Sequence, residues 1–382
     1  MAGIYIHIPF CKQACFYCDF HFSTNTAKQQ EMVEAIAKEL ALQKSYLQGQ
    51  RVQSIYFGGG TPSLLSQPQL NFLLKTVYQN FEIAADVEIT LEANPDDLGL
   101  PVLEAFREEG INRLSVGIQS FHEPHLQFMN RAHNRAQALQ CVQEARKAGF
   151  ENISIDLIYG IPETLEDGNL RYGHDLWKAD IAQAMLLQPQ HIAAYCLTIE
   201  QDTVFGRWQK QGKLPNIDDE FAAQQFEILL QELGKHGYEQ YEISNFCLAD
   251  HYSRHNSSYW KGVHYLGVGP SAHSFNGVSR QYNLANNAGY LRAIAAGGIS
   301  FEREILSVKE QINDYLLTTL RTKWGTSIER LQAGWGYDIR KECEQELSKH
   351  LASENIFIQN EYIYLSTSGK LLADQITAEL MA

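Results

Sequence analysis

Short runs rich in Ile, Val and Tyr alternate with helical patterns over the first three-quarters of the chain. Strands are predicted at residues 3–9, 52–57, 87–93, 113–119, 153–158 and 191–197, each bounded by Gly, Pro or Asn. Between them, apolar residues recur every three or four positions. Residues 27–47 carry Met32, Ile36, Leu40 and Leu47, and residues 67–78 carry Leu70, Leu73, Leu74 and Val77. Residues 135–148 and 168–185 repeat the pattern. Strand–helix units in series predict an α/β fold of parallel strands joined by right-handed crossovers. Periodicity alone leaves a doubly wound sheet and a closed or partial barrel both open. In either case ligands sit at the C-terminal ends of the strands.

The pattern changes after about residue 245. The stretch SNFCLADHYSRHNSSYWKGVHYLGVGPSAHSFNG is rich in Ser, Asn, Gly, His and aromatics and is expected to form ordered loops with short strands. The last eighty residues predict helices at 309–321, 327–333 and 339–353. A hairpin in IFIQNEYIYLS follows, turning at Gln359, Asn360 and Glu361, with a last helix at 370–380. Helices followed by a hairpin suggest a winged-helix-like α+β unit. It is not basic enough for DNA, so packing or capping is the better reading. The expected division is a barrel-type unit at 1–245, a loop-rich extension at 246–300 and the small unit at 301–382.

Composition removes several classes. Hydrophobic residues at 45% and charged residues at 20% are ordinary globular usage. The net charge of −14 opposes broad binding to phosphate backbones, so no nucleic-acid partner is expected. No apolar run reaches the roughly 18 residues of a membrane span. The opening MAGIYIHIPFCKQ lacks the charged and small-residue marks of a signal peptide. With seven cysteines, an odd number, the expectation is a reduced, cytoplasmic protein rather than a disulfide framework.

Three of those cysteines, Cys11, Cys15 and Cys18, fall in one loop after the first strand with the spacing C-x3-C-x2-C. Thiolates this close can converge on a four-iron four-sulfur (4Fe-4S) cluster and leave one iron open. Zinc with His7, Asp19 or His21 as fourth ligand is an alternative, as are three unmetallated core cysteines. Cys141, Cys196, Cys247 and Cys343 have no partner at ligand spacing and are expected in core packing. Gly58-Gly59-Gly60 follows the second strand, where glycines permit close backbone approach to a ligand. Glu92 ends the third strand and Gln119 the fourth. Arg131 lies twelve residues further on and can pair bidentately with a carboxylate. Asp156 sits between apolar Ile155 and Leu157, where a charge is costly unless paired.

The segment YIHIPFC, with the cysteines that follow it, resembles the signature of the radical S-adenosylmethionine (SAM) superfamily. It is similar to the branch holding oxygen-independent coproporphyrinogen III dehydrogenases (HemN) and HemW-type haem chaperones. GGGTPS at 58–63, EANP at 92–95, LSVGIQSF at 114–121, MNRAH at 129–133 and DLIYGIP at 156–162 match in order. The resemblance covers nearly the whole chain. It implies a partial (β/α)6 barrel and a 4Fe-4S cluster on Cys11, Cys15 and Cys18. It also implies SAM contacts from Tyr5, Gly59, Gly60, Thr61, Glu92, Gln119, Arg131 and Asp156. In that superfamily the reduced cluster breaks a carbon–sulfur bond of SAM and a 5′-deoxyadenosyl radical results.

Two departures separate this chain from the dehydrogenases. Phe20 stands where they carry a fourth cysteine, and only four residues precede Tyr5 where they have a longer extension. His255-Asn256-Ser257-Ser258-Tyr259-Trp260 fits HNxxYW, which resembles the haem-chaperone branch and implies haem contact at His255. A neutral imidazole can ligate haem iron, and aromatic rings can stack on a porphyrin. His273 is assigned to structure near the site. The reading is a haem carrier that binds SAM, a cluster and haem. Its partners would be a haem-acceptor protein and an electron donor such as flavodoxin or ferredoxin, and no catalytic residue is assigned. The alternatives are a porphyrin-biosynthesis enzyme acting on coproporphyrinogen III, and an interaction protein with structural zinc.

Overall fold

A computed structural model describes residues 1–164 and 170–382. Six parallel strands lie side by side in chain order: β1 (Ala2–Ile8), β2 (Val52–Gly59), β3 (Ile83–Ala93), β4 (Arg113–Gln119), β5 (Ile153–Tyr159) and β6 (His191–Cys196). Each neighbours its successor, so the strand order never reverses. A doubly wound sheet needs that reversal, and the partial barrel is therefore the fold.

The two faces of these strands carry different chemistry. Ile4, Ile6, Ile8, Ile55, Phe57, Leu91, Leu114, Val116, Ile153 and Ile155 point outward and share one core with helix residues such as Ile36, Leu40, Leu73 and Val142. Each such buried side chain stabilises the fold by roughly 1.5–3 kcal/mol. The opposite face is polar. Tyr5, Tyr56, Thr90 and Arg113 pair in register across four strands, and Glu92, Ser115, Ser154 and His191 pair one step further round. Period-2 alternation ordinarily sends the polar row into water. Here it lines the barrel interior, where its groups need partners inside the protein.

Among the described residues the sheet has twelve strands. β7 (Glu239–Glu242) and β8 (Asn245–Cys247) add antiparallel pairs beyond β6. On the other edge, β9 (His264–Val268) runs parallel to β1. Antiparallel β10 (His273–Phe275), β11 (Ser279–Asn283) and β12 (Phe301–Ile305) follow it. The stretch expected to be loops with short strands has the strands, and a helix besides, Arg254–Trp260; a second helix, Asn287–Ala295, follows it. Ser253 accepts a hydrogen bond from Asn256 N at 3.3 Å and caps the first of these.

Other departures have local causes. The helix expected at 168–185 runs from Asp175 to Leu187, and the start of the expected range falls on 168 and 169, outside the described residues. Leu100–Glu108 was not anticipated, although Pro101 in its first turn is a helix-start signal. Asp219–Lys235 was missed as well, where Asp218 accepts from Phe221 N at 2.7 Å. The helix expected at 339–353 breaks at Cys343, and the last one breaks at Leu372. The C-terminal unit has its own core of Ile312, Leu316, Leu331, Ile363, Ile376 and Leu380. Its hairpin, β13 (Ile356–Gln359) and β14 (Tyr362–Leu365), turns at Asn360 and Glu361. Both have positive φ, 50° and 64°, as a two-residue type I′ turn requires. Among the described residues no helix is long and apolar enough to cross a membrane.

Candidate cofactor site at the barrel mouth

The loop after β1 is clamped from several sides. Cys11 N donates to Ser23 O at 3.1 Å, Phe16 N to Met129 O at 3.1 Å and Phe205 N to Phe16 O at 3.0 Å. Asn130, with φ of 56°, donates from Nδ2 to Ala14 O at 2.7 Å. Underneath, Gly60 N donates to Ile8 O at 2.9 Å and Thr61 N to Phe10 O at 2.7 Å. Such close approach excludes a side chain, since a Cβ on Gly60 would stand 2.6 Å from Phe10 O. Gly59 adopts φ of 100°, and a Cβ there would collide with the His7 ring.

These contacts close one wall of a cavity of about 380 Å³ at the C-terminal ends of the strands. Ten expected residues line it: Cys11, Cys15 and Cys18, then Gly59, Gly60 and Thr61, with Glu92, Gln119, Arg131 and Asp156. Gln119 has φ of 67° at an irregularity in the β4–β5 pairing, a strained backbone that costs about 1–3 kcal/mol. Arg131 Nη2 donates to Asn94 Oδ1 and to Gly117 O, both at 2.7 Å. Its Nη1 reaches Cys15 Sγ at 3.2 Å and Tyr17 OH at 3.4 Å, while Nε has no partner among the described residues. Burial opposes the Arg131 charge, yet the facing Tyr17 and Cys15 hold it above its ordinary value. Burial pushes Glu92 up to about 7, against a hydrogen bond from Tyr56 OH at 2.7 Å. Burial likewise pushes Asp156 up to about 6, with Arg113 and a 3.3 Å contact from Ser115 Oγ opposing it.

Two expected residues stand apart from the cavity lining. Tyr5 lies behind Glu92, its OH 3.2 Å from His7 Nδ1 and its ring stacked on Tyr56 at 6.1 Å. His255 is 1% exposed, with Nδ1 at 2.9 Å from Ser54 Oγ and Nε2 at 2.7 Å from Tyr259 OH. The Glu88 carboxylate accepts from Arg254 N and His255 N, both at 3.1 Å, and fixes the start of this helix to the barrel. Haem contact at His255 was expected; in this arrangement neither ring nitrogen is free to meet iron.

The donor set on this cavity, three thiols, is the ligand type of an iron–sulfur cluster. Among the described residues no three His, Cys, Asp or Glu side chains converge closely enough for one metal ion. An iron–sulfur cube is held at its corners, so its thiolates stand wider apart. Of the histidines in the zinc alternative, His7 has both ring nitrogens engaged and His21 only one. His7 engages Tyr5 and His21 O, and His21 Nε2 engages Asn287 at 2.7 Å. Three thiols around one cavity, a cation beside Cys15 and the unpartnered Arg131 Nε fit an anionic cluster and a polar ligand.

A family model described as the radical SAM superfamily matches residues 5–170. The heme chaperone HemW of Bacillus subtilis is 34% identical over 98% of this chain and 98% of its own. That of Lactococcus lactis is 32% identical over 97% and 95%. This chain belongs to the HemW family of radical SAM proteins. HemW of Escherichia coli is 37% identical over 71% of this chain and 69% of its own. The solved structure of coproporphyrinogen III oxidase (HemN) from Escherichia coli aligns with a TM-score of 0.84 at 22% identity, covering 100% of this chain and 90% of that one, and shares the fold.

Sequence reasoning missed several residues of this HemW-family cavity. Asn94 stands in the EANP motif and bridges Arg131 to Thr61 Oγ1, the latter at 3.2 Å. Tyr195 and Cys196, at the end of β6, also line it. Cys196 is half-buried at this wall rather than hidden in the core, unlike Cys141, Cys247 and Cys343. Arg113 is 1% exposed, and its Nε and Nη1 lack partners among the described residues. An arginine opening a strand whose next five residues are apolar or small was the available signal. His273 is exposed on the edge strands, stacked on Tyr282 at 5.5 Å.

Proposed function

We propose that this chain is a cytoplasmic haem chaperone that carries a 4Fe-4S cluster on Cys11, Cys15 and Cys18 and binds SAM beside it. Full-length likeness to proteins named heme chaperone HemW carries the reading. The gathering of all three thiols with Gly59, Gly60, Thr61, Glu92, Gln119, Arg131 and Asp156 on one cavity supports it. When bound, the cluster supplies the electron that cleaves a carbon–sulfur bond of SAM.

The chain's own groups have plain tasks in this reading. Arg131 sets a fixed positive charge beside Cys15, whose sulfur must be anionic to hold iron. Glu92 and Asp156, made reluctant to ionise by burial, regain their charge when a ligand brings cationic groups against them. Tyr56, bonded to Glu92, fixes which way that carboxylate faces. Gly59 and Gly60 keep the β2 end low enough for the ligand to lie against backbone. Tyr5 acts from behind, through His7 and Tyr56. An electron donor of the flavodoxin or ferredoxin class and a haem-acceptor protein complete the scheme.

Anaerobic reconstitution with iron and sulfide, followed by haem loading and incubation with apomyoglobin, tests it. Stoichiometric haem binding and transfer to the apoprotein are expected, with coproporphyrinogen III left unchanged in the presence of SAM and reductant. Failure of the wild-type protein to bind haem, or turnover of coproporphyrinogen above background, would overturn it.

A further inference from the structure

A second cavity, of about 230 Å³, opens between the HNSSYW helix, the edge strands and the C-terminal helices. It shares no lining residue with the first. One wall is Tyr259, Tyr265 and Phe275, with the two tyrosine rings edge to face at 4.6 Å. The other is Tyr315 and Trp335, at 5.5 Å. The polar ends of three of these rings are engaged by the protein. Tyr259 OH meets His255 at 2.7 Å, Tyr315 OH accepts from Ser327 N at 3.1 Å, and Trp335 Nε1 donates to Gln311 Oε1 at 3.1 Å. Apart from the Tyr315 face, which Arg330 covers, their apolar ring surface lines the cavity and suits a flat, apolar ligand.

Two arginines reach the same space. Arg280 pairs with Asp314. Arg330 lies over the Tyr315 ring at 4.7 Å and forms no ion pair among the described residues. Beside the lining residues Gly277 and Leu306, Val278 and Ile305 are 57% and 78% exposed, an apolar rim on an acidic protein. Aromatic walls, an apolar rim and a free guanidinium describe one kind of guest: a planar macrocycle bearing carboxylates.

We propose that this cavity holds the porphyrin. The ring faces grip one edge of the macrocycle, Arg330 meets a propionate, and His255 supplies no bond to iron. The proposal rests on the haem-chaperone reading and says where and how the haem sits. His255 then acts as a positioning residue, holding Tyr259 in the wall. A porphyrin is larger than the cavity, so part of it stays in solvent, within reach of an acceptor.

The test is absorbance titration of the full-length protein with haem and with metal-free protoporphyrin IX, for wild type, Arg330→Glu and Trp335→Ser. Wild type should bind both porphyrins with affinities within about threefold, because no iron bond is involved. Arg330→Glu should weaken both at least tenfold. Arg330 is exposed, so this variant folds, and an unchanged circular dichroism spectrum checks it. Trp335→Ser should weaken both as well. Wild type that binds haem but not the metal-free ring, or variants that bind like wild type, would overturn the proposal and leave the chaperone reading standing. Wild type that binds neither would remove both.

Discussion

Around the barrel mouth, Glu92, Gln119, Arg131 and Asp156 come from successive strands and their following loops, and Glu92, Arg131 and Asp156 are held by backbone or by a neighbouring polar group. Around the second cavity, Tyr259, Tyr265, Tyr315 and Trp335 come from a helix, the strand beside β1 and a separate C-terminal core, and form two aromatic walls. The first arrangement fixes charges where a small ionic ligand needs them. The second offers area with few directional demands, which suits a guest that must leave again. Under the proposed function and the proposed porphyrin site, the contrast separates redox chemistry in the polar barrel interior from carriage at the second cavity.

The largest effect is expected at the cysteine loop. Cys15→Ser should lower reconstituted iron from about four atoms per chain to near none and abolish the brown absorbance. Iron and sulfide analysis checks this, and haem affinity should not move. Loss of haem binding together with iron would merge the two regions into one.

Gly59→Val comes next. A branched side chain at φ of 100°, against the His7 ring, should cost about 3 kcal/mol by urea unfolding and reduce iron uptake. Stability unchanged in that variant would mean that the β2 end can shift, and the fixed geometry of the mouth would be lost as an explanation.

How far each region is legible in the chain follows from how it is built. The cysteines, the glycine run and Glu92 are local to a strand end and Asp156 stands in mid-strand between apolar neighbours, so the period-2 pattern and the residue spacing suffice to put them together. The partial barrel is not decided by periodicity, because both candidate sheets share the same strand–helix rhythm; strand order decides it. The aromatic cavity is illegible because residues 259–280 meet residues 306–335 only through tertiary packing. The HNxxYW motif points to His255 as a ligand. Ser54, which takes up one of its nitrogens, lies two hundred and one positions away in sequence, beyond any local pattern.

A smaller effect concerns acid. Burial, with the Arg113 charge adding, lowers His255 from 6.5 to about 3. A base kept neutral only in the folded state gives stability that is complete above pH 6.5 and lost as pH falls towards 3, at about 1.4 kcal/mol per pH unit. His255→Gln should flatten the stability profile by that one proton between pH 6 and pH 4, measured by denaturant midpoints. An unchanged slope would mean that His255 is already protonated and not locked between Ser54 and Tyr259.

The smallest effect lies far from both cavities. Asn360→Ala, at φ of 50° in the C-terminal hairpin turn, should cost about 1 kcal/mol and alter neither iron content nor porphyrin affinity. A change in porphyrin affinity would show that the hairpin, and not only the helices beside it, shapes the second cavity.

The most direct measurement is haem titration of cluster-loaded protein with and without saturating SAM. Two separate sites predict one haem per chain at the same affinity in both titrations. Displacement of haem by SAM, or a stoichiometry that falls as SAM is added, would contradict that separation.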